Sequence, residues 1–129
     1  MSGGLPAVLG RAQAHGLLGP GPVDEQPHHA RQLAELIGPA PTSFLDLGSG
    51  AGLPGLVLAL TWPAATGVLL DAGRRRGEHL RAASADLGLT DRITVVVARA
   101  EEAARRTEWR GRLPLVVARG FGPPAVTAE

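Results

Sequence analysis

An apolar segment, Phe44-Leu45-Asp46-Leu47, runs directly into Gly48-Ser49-Gly50-Ala51-Gly52, and Leu53-Pro54-Gly55 follows. Few patterns constrain a chain more. A strand that ends in alternating glycines must turn sharply, and a proline just beyond the turn is favoured in the first turn of a helix. A plain strand-to-helix turn does not call for three glycines in five positions, because each loses much conformational freedom on folding. Their use is to let bare backbone approach a ligand where a Cβ would collide. The segment therefore points to a ligand at the carboxyl edge of a parallel sheet.

The surrounding pattern agrees. Thr42 to Leu47 reads as a first strand, Pro54 to Leu60 as an almost wholly apolar helix, and Ala65 to Leu70 as a second strand ending at Asp71. Arg74 to Leu87 reads as a helix with Leu80, Ala83 and Leu87 on one face, closed by Gly88. Ile93 to Ala98 is a third, Val-rich strand, a short polar helix is expected near Glu101 to Arg106, and Leu113 to Ala118 is a fourth strand with Pro114 at its start. Alternating strands and helices imply right-handed crossovers and a doubly wound, mostly parallel sheet. Ahead of it, Ala30, Leu33, Ala34 and Ile37 recur at helical spacing before Gly38-Pro39. Residues 1–22 are rich in Gly and Pro and read as a loosely ordered leader with one short helix near Val8 to Leu18. The expected organisation is thus a leader (1–22), a leading helix (23–41) and an α/β domain (42–129), with a further helix beginning at the carboxyl end.

With 129 residues, one domain is expected. Cysteine is absent, which removes disulfides, thiolate ligands and thiol nucleophiles and agrees with a reducing compartment. The amino end lacks the pattern of a signal peptide, and no apolar run reaches membrane-spanning length, so a cytoplasmic protein without membrane contact is expected. Net charge is +1 but unevenly placed: residues 1–71 carry two Arg against five acids, and residues 72–129 eleven Arg against seven. Every basic residue is Arg, which fits a GC-rich coding bias; the guanidinium fork also suits phosphate and stacking on bases.

Two cofactor classes fit the loop. Gly50, Gly52 and Gly55 satisfy the dinucleotide fingerprint G-x-G-x-x-G, with Asp71 19 residues beyond Gly52 as a ribose-binding acid. The alternative is S-adenosylmethionine (SAM): Asp46-x-Gly48-x-Gly50-x-Gly52 resembles the first motif of class I methyltransferases. There bare backbone admits the amino-acid and ribose parts, and Asp71 accepts from the ribose hydroxyls. Asp71 supports a ribose in either case.

Two later segments bear on the choice. Arg99-Ala100-Glu101-Glu102 follows the third strand and Ala118-Arg119-Gly120-Phe121 the fourth, both where loops converge on the carboxyl edge. In this order, with Leu53-Pro54-Gly55 and Leu69-Leu70-Asp71, they resemble the GidB (RsmG) family of small-subunit ribosomal RNA methyltransferases. The likeness runs from about Leu17 to Glu129 and includes His28 or His29 in the leading helix. It implies a Rossmann-like class I methyltransferase that uses SAM to methylate N7 of a guanine in 16S rRNA, as free RNA or in the small ribosomal subunit. By the same resemblance, Gly48, Gly50, Gly52, Leu53 and Asp71 would hold SAM. Ala100 and Glu101 would flank the adenine, and Arg119 would lie by cofactor and RNA. Arg99 and Arg119 are the candidates for RNA or transition-state contact. No metal-ligand spacing is evident.

Other polar and aromatic residues read more simply. His15 and His79 are expected at the surface, and His28 and His29 as residues that orient or pack the leading helix. Trp62 and Trp109 are expected to pack rather than stack on bases. The run Arg74-Arg75-Arg76 reads as a solvated helix start, or as phosphate binding beside the crevice. The chain departs from the family pattern in Arg119-Gly120, where Arg-Ala is usual, and in stopping past Pro123-Pro124. The sheet is thus expected to be incomplete on its carboxyl-terminal side. An unpaired fourth strand would invite self-association. An inactive SAM-binding remnant and a small dinucleotide-binding domain are the alternative readings.

Overall fold

The computed structural model describes residues 4–48, 50–99, 101–102, 115–118 and 125–128. They form helices α1 (Gly4–Ala14), α2 (His28–Ile37), α3 (Gly55–Thr61) and α4 (Arg74–Asp86). The strands are β1 (Ser43–Leu47), β2 (Thr66–Asp71), β3 (Ile93–Val97), β4 (Leu115–Ala118) and β5 (Ala125–Ala128). The sheet order is β3-β2-β1-β4-β5. β1, β2, β3 and β4 run parallel, with Leu45 opposite Val68 and Val116, and Leu69 opposite Val95. β1 lies where the strand order reverses, and in sheets of this kind ligands bind beyond the carboxyl end of such a strand.

Both faces of the sheet are apolar, as parallel strands require. On one face Phe44, Leu69, Ile93, Leu115 and Val117 pack with Leu56, Leu58 and Ala59 of α3, Leu80 and Ala83 of α4, and Leu33 and Ala34 of α2. Each of the buried Leu, Ile, Val and Phe side chains stabilises the fold by roughly 1.5–3 kcal/mol. On the other face Leu45, Leu70, Ala98 and Val116 form a second buried cluster. The continuous apolar run of α3 has its reason here: α2 covers the side of α3 that the sheet does not, so Gly55 to Ala59 are all buried. Trp62 ends α3 and meets the Phe44 ring edge-on, with centroids 5.7 Å apart. It is a packing residue, as its sequence context suggests; Trp109 lies outside the described residues.

The element ends follow local chemistry. α4 closes in a Schellman motif: Gly88, at φ +70°, donates to Ala85 O, and Leu89 N–H donates to Ser84 O. The carboxyl end of α3 is capped from a distance. The Arg92 guanidinium donates to the carbonyls of Ala59 at 2.7 Å and of Trp62 and Ala65, each at 3.1 Å.

Two expectations change. The leader carries an 11-residue helix whose Val8, Leu9 and Ala12 are buried, so its apolar residues dock rather than trail. It is tied to α4 by an Arg11–Asp86 ion pair and by Arg75, which donates to His15 O at 2.9 Å. After β4 the chain does not begin a helix. Ala125–Ala128 adds an antiparallel strand, Ala118 opposite Ala125, so β4 is not an unpaired edge and the edge strands are β3 and β5. The β-branched pair Val126-Thr127 suits a strand, and the ladder satisfies the backbone groups β4 would otherwise expose. The basis for self-association through the fourth strand is thereby removed. Pro114 and most of the polar segment after Glu101 lie outside the described residues.

Candidate functional site

The glycine loop has the conformation its composition demands. Gly48, Gly50 and Gly52 stand at φ +78°, +55° and +112°, where L side chains are strained. Gly52 is also closed by packing: an added Cβ would overlap the buried Leu56 side chain. At Gly55 a Cβ would come within 2.5 Å of Asp46 Oδ2 and Leu69 Cδ2, so this glycine lets α3 lie directly against β1 and β2. Asp46 is fully buried beneath that contact. Leu53 is 3 % exposed and packs with Leu9, Ala30 and Val57; what it can offer a ligand is its backbone.

Asp71 is the electrostatic centre. It ends β2 with its side chain 6 % exposed. Oδ2 accepts from Gly50 N–H at 2.8 Å, and Oδ1 accepts from Gly73 N–H and Arg76 Nε, each at 2.8 Å. Burial alone raises the pKa of this carboxyl, but the Arg76 guanidinium and the Gly73 and Gly50 amides outweigh it and hold it below the usual value. The residue is a stable carboxylate, held by the loop after β1 and the head of α4.

The other anticipated residues fall into two groups. Val97 pairs with Asp71, and Ala98 N–H donates to Asp71 O, which brings exposed Arg99 and Glu101 to the same edge as the glycine loop. Ala118 pairs with Leu47, the residue before Gly48. Ala100 and Arg119 lie outside the described residues.

Several polar residues behave differently from their sequence reading. His79 is half-buried rather than superficial, with Nε2 3.0 Å from Ala51 O in the glycine loop. Burial lowers its pKa, against the Ala51 bond and with help from nearby Arg11 and His15. His28 and His29 are exposed, so they do not pack α2. The Arg run divides by role: Arg75 reaches the leader and Arg76 reaches Asp71. A single signal could have found Arg76: five residues past a strand-end acid, in the first turn of a helix, a long side chain points back at that acid. Arg92 carried no sequence signal at all. A concavity of about 490 Å³ between α1 and α4 is lined by Arg11, His15, Arg75, Glu78 and His79. Arg11 is paired with Asp86 there, so the charges are largely matched. Among the described residues no group of three or more His, Asp and Glu is placed to hold a metal ion, and no helix is long and apolar enough to cross a membrane.

The fold is the Rossmann-like fold of the class I methyltransferases. The O-methyltransferase TomG of Streptomyces achromogenes, solved with SAM, superposes with a TM-score of 0.65 at 22% identity over 88% of this chain and 53% of its own. A SAM-dependent methyltransferase of Geobacter sulfurreducens, solved with S-adenosyl-L-homocysteine, gives 0.60 at 21% over 74% of this chain and 37% of its own. Sequence narrows the class. Residues 27–129 match the GidB family, rRNA small subunit methyltransferase G, and the chain belongs to that family. The ribosomal RNA small subunit methyltransferase G of Acidothermus cellulolyticus is 45% identical over 112 residues, covering 84% of this chain and 47% of that protein. The corresponding protein of Prochlorococcus marinus strain MIT 9303 is 43% identical over 89 residues, or 69% and 36%. The chain thus spans about a third to a half of the length of these curated relatives.

Proposed function

We propose that this chain binds SAM at the carboxyl edge of β1 and β2 and forms the cofactor-binding part of a guanine-N7 methyltransferase acting on 16S rRNA in the cytoplasm. The observation that carries the reading is the union of the glycine loop with Asp71. The carboxylate takes the Gly50 amide, so the loop's conformation and the ribose acceptor are one unit.

The residues present fit the cofactor. A carboxylate has about four acceptor positions, and Asp71 uses three of them on donors that define the crevice wall. The amides at the head of α3 favour SAM over a dinucleotide. Gly50 N–H goes to Asp71 and Leu56 N–H to Gly52 O, so these two are not aimed at a pyrophosphate. In this reading exposed Gly48 admits the amino-acid end. Asp71 accepts from the ribose, and Ala100 and Glu101 border the adenine. Arg99 and Arg119 hold the RNA near the reacting atoms. When bound, SAM supplies an electrophilic methyl group on a sulfonium. Guanine N7 offers a free lone pair, so no residue has to remove a proton before attack. The chain's task is to align the two partners and set the local field. An acid–base pair is not needed.

Ligand-dependent unfolding tests the reading. At a hundred times Kd, a ligand of the native state adds about 2.7 kcal/mol, or roughly 8–10 °C in Tm for a domain of this size. SAM and S-adenosylhomocysteine should produce such a shift and NADH should not. A shift with NADH alone would replace the methyltransferase reading by the dinucleotide one. Radiolabel transfer from SAM to small subunits lacking the modification then separates an active enzyme from a binding remnant.

A further inference from the structure

The acceptor capacity of Asp71 does not match a ribose diol while Arg76 is in place. Oδ1 already takes Gly73 N–H and Arg76 Nε, which fills its two lone pairs. Oδ2 takes Gly50 N–H and keeps one position. A diol presents two hydroxyls. Of the three donors on Asp71, two are backbone amides that cannot leave unless the glycine loop or the start of α4 moves. The third is a side chain, 47 % exposed, whose guanidinium lies over Gly73; a Cβ built there would meet Nη2 at 2.8 Å and Nε at 3.0 Å. Arg76 is therefore the donor that can move.

We infer that Arg76 is a gate on the ribose acceptor: it covers Oδ1 when the site is empty and swings into solvent when a vicinal diol arrives. This rests on the proposal that the crevice takes SAM, and it adds a specificity residue to it. A ligand with both ribose hydroxyls displaces Arg76 and gains two bonds to Asp71. A ligand lacking them leaves the ion pair shut and gains neither. Arg76, 47 % exposed, returns to water as it leaves, and Asp71, 6 % exposed, exchanges the guanidinium for the two hydroxyls rather than being left bare. The hold of the gate is the difference between these two sets of bonds to one carboxylate, a factor of about 2 to 5, and salt weakens the ionic one.

Calorimetric titration of the folded chain with S-adenosylhomocysteine and with its 2′,3′-dideoxy analogue tests the gate. Arg76→Ala and Arg76→Gln should each bind S-adenosylhomocysteine about two- to fivefold more tightly than the parent chain, with the gap closing at high ionic strength. The dideoxy analogue should bind all three proteins alike. A second readout needs no variant: the Arg76 Nε–H resonance, shielded by Asp71, should lose protection on saturation with S-adenosylhomocysteine and keep it with the analogue. Equal or weaker binding by both variants would overturn the gate, since it would make Arg76 a support for Asp71. So would a shielded Nε–H at saturation, or the same gain for the analogue. Failure of the parent chain to bind S-adenosylhomocysteine at all would instead remove the cofactor reading, and the gate with it.

Discussion

Gly52→Ala and Gly50→Ala form a pair whose difference is set by geometry. Both glycines have positive φ, so both pay for an added Cβ, but their surroundings differ. At Gly50, φ +55° is the ordinary left-handed region and the Cβ would meet only Gly48 O, at 3.9 Å. That change should cost about 1–2 kcal/mol. At Gly52, φ is +112°, a conformation that costs an L residue of order 1–3 kcal/mol, and the Cβ overlaps Leu56 as well. Leu56 is fully buried among Leu58, Leu69 and Val117 and has nowhere to retreat. Overpacking adds about 1–3 kcal/mol, which brings Gly52→Ala to about 2–6 kcal/mol. Domains of this length are stable by roughly 6–19 kcal/mol, so the variant should still fold. Urea unfolding should show its midpoint lowered by about 1.3–4 M for an m-value of about 1.5 kcal/mol/M, and Gly50→Ala by less than half as much. Equal losses would show that the loop responds only to backbone strain and that Leu56 yields, which would refute the packing account of Gly52.

Further outcomes follow from single contacts. Arg92→Ala removes three donors from the carboxyl end of α3 and should cost about 1.5–3 kcal/mol in urea unfolding, with Arg92→Lys recovering only part. Asp71→Asn turns one amide donor toward a backbone N–H and should cost about 1–3 kcal/mol, besides weakening S-adenosylhomocysteine binding in calorimetry. Because Asp71 has a folded pKa below its unfolded value of 3.8, its stabilisation is complete above that value. It is lost as pH falls through the folded pKa, and acid unfolding of Asp71→Asn should lack that component. His79 also has a lowered pKa, so between 6.5 and the folded value the unfolded chain binds the proton more readily, and stability rises with pH and is lost as pH drops through that window. His79→Gln should flatten the stability–pH curve in that window, read by urea midpoints at successive pH values.

Much of this site can be read from the chain because its parts obey local rules. Strand, glycine turn and proline announce β1 and α3 within a residue or two, and the apolar run of α3 announces its burial on both sides. Asp71 is legible because an acid closing an apolar strand has few structural uses. What escapes reading depends on contacts between distant segments. Arg92 caps a helix that ended 31 residues earlier, and His79 reaches Ala51 only because α4 packs beside the loop. The leader misleads for a related reason. Its glycines and prolines suggest loose order, yet Val8 packs into the main core and Leu9 against Ala30, Leu53 and Val57. The segment after β4 misleads in the opposite sense, since strand partners are set by the neighbour's unsatisfied edge and not by the segment itself.

The bond from Gly50 to Asp71 makes the loop and the carboxylate proposed to accept from the ribose mutually dependent. A change that moves the loop removes a donor from a buried carboxylate, and a change that neutralises the carboxylate releases the loop. Loss of loop conformation and loss of ribose recognition should therefore appear together in any variant that touches either side. Arg76 stands outside this unit, since its removal leaves both backbone amides on Asp71 in place. That separation lets loop packing and the proposed ligand preference be altered at different residues. Gly52 acts on the first and Arg76 on the second, although both lie at the same edge of the sheet.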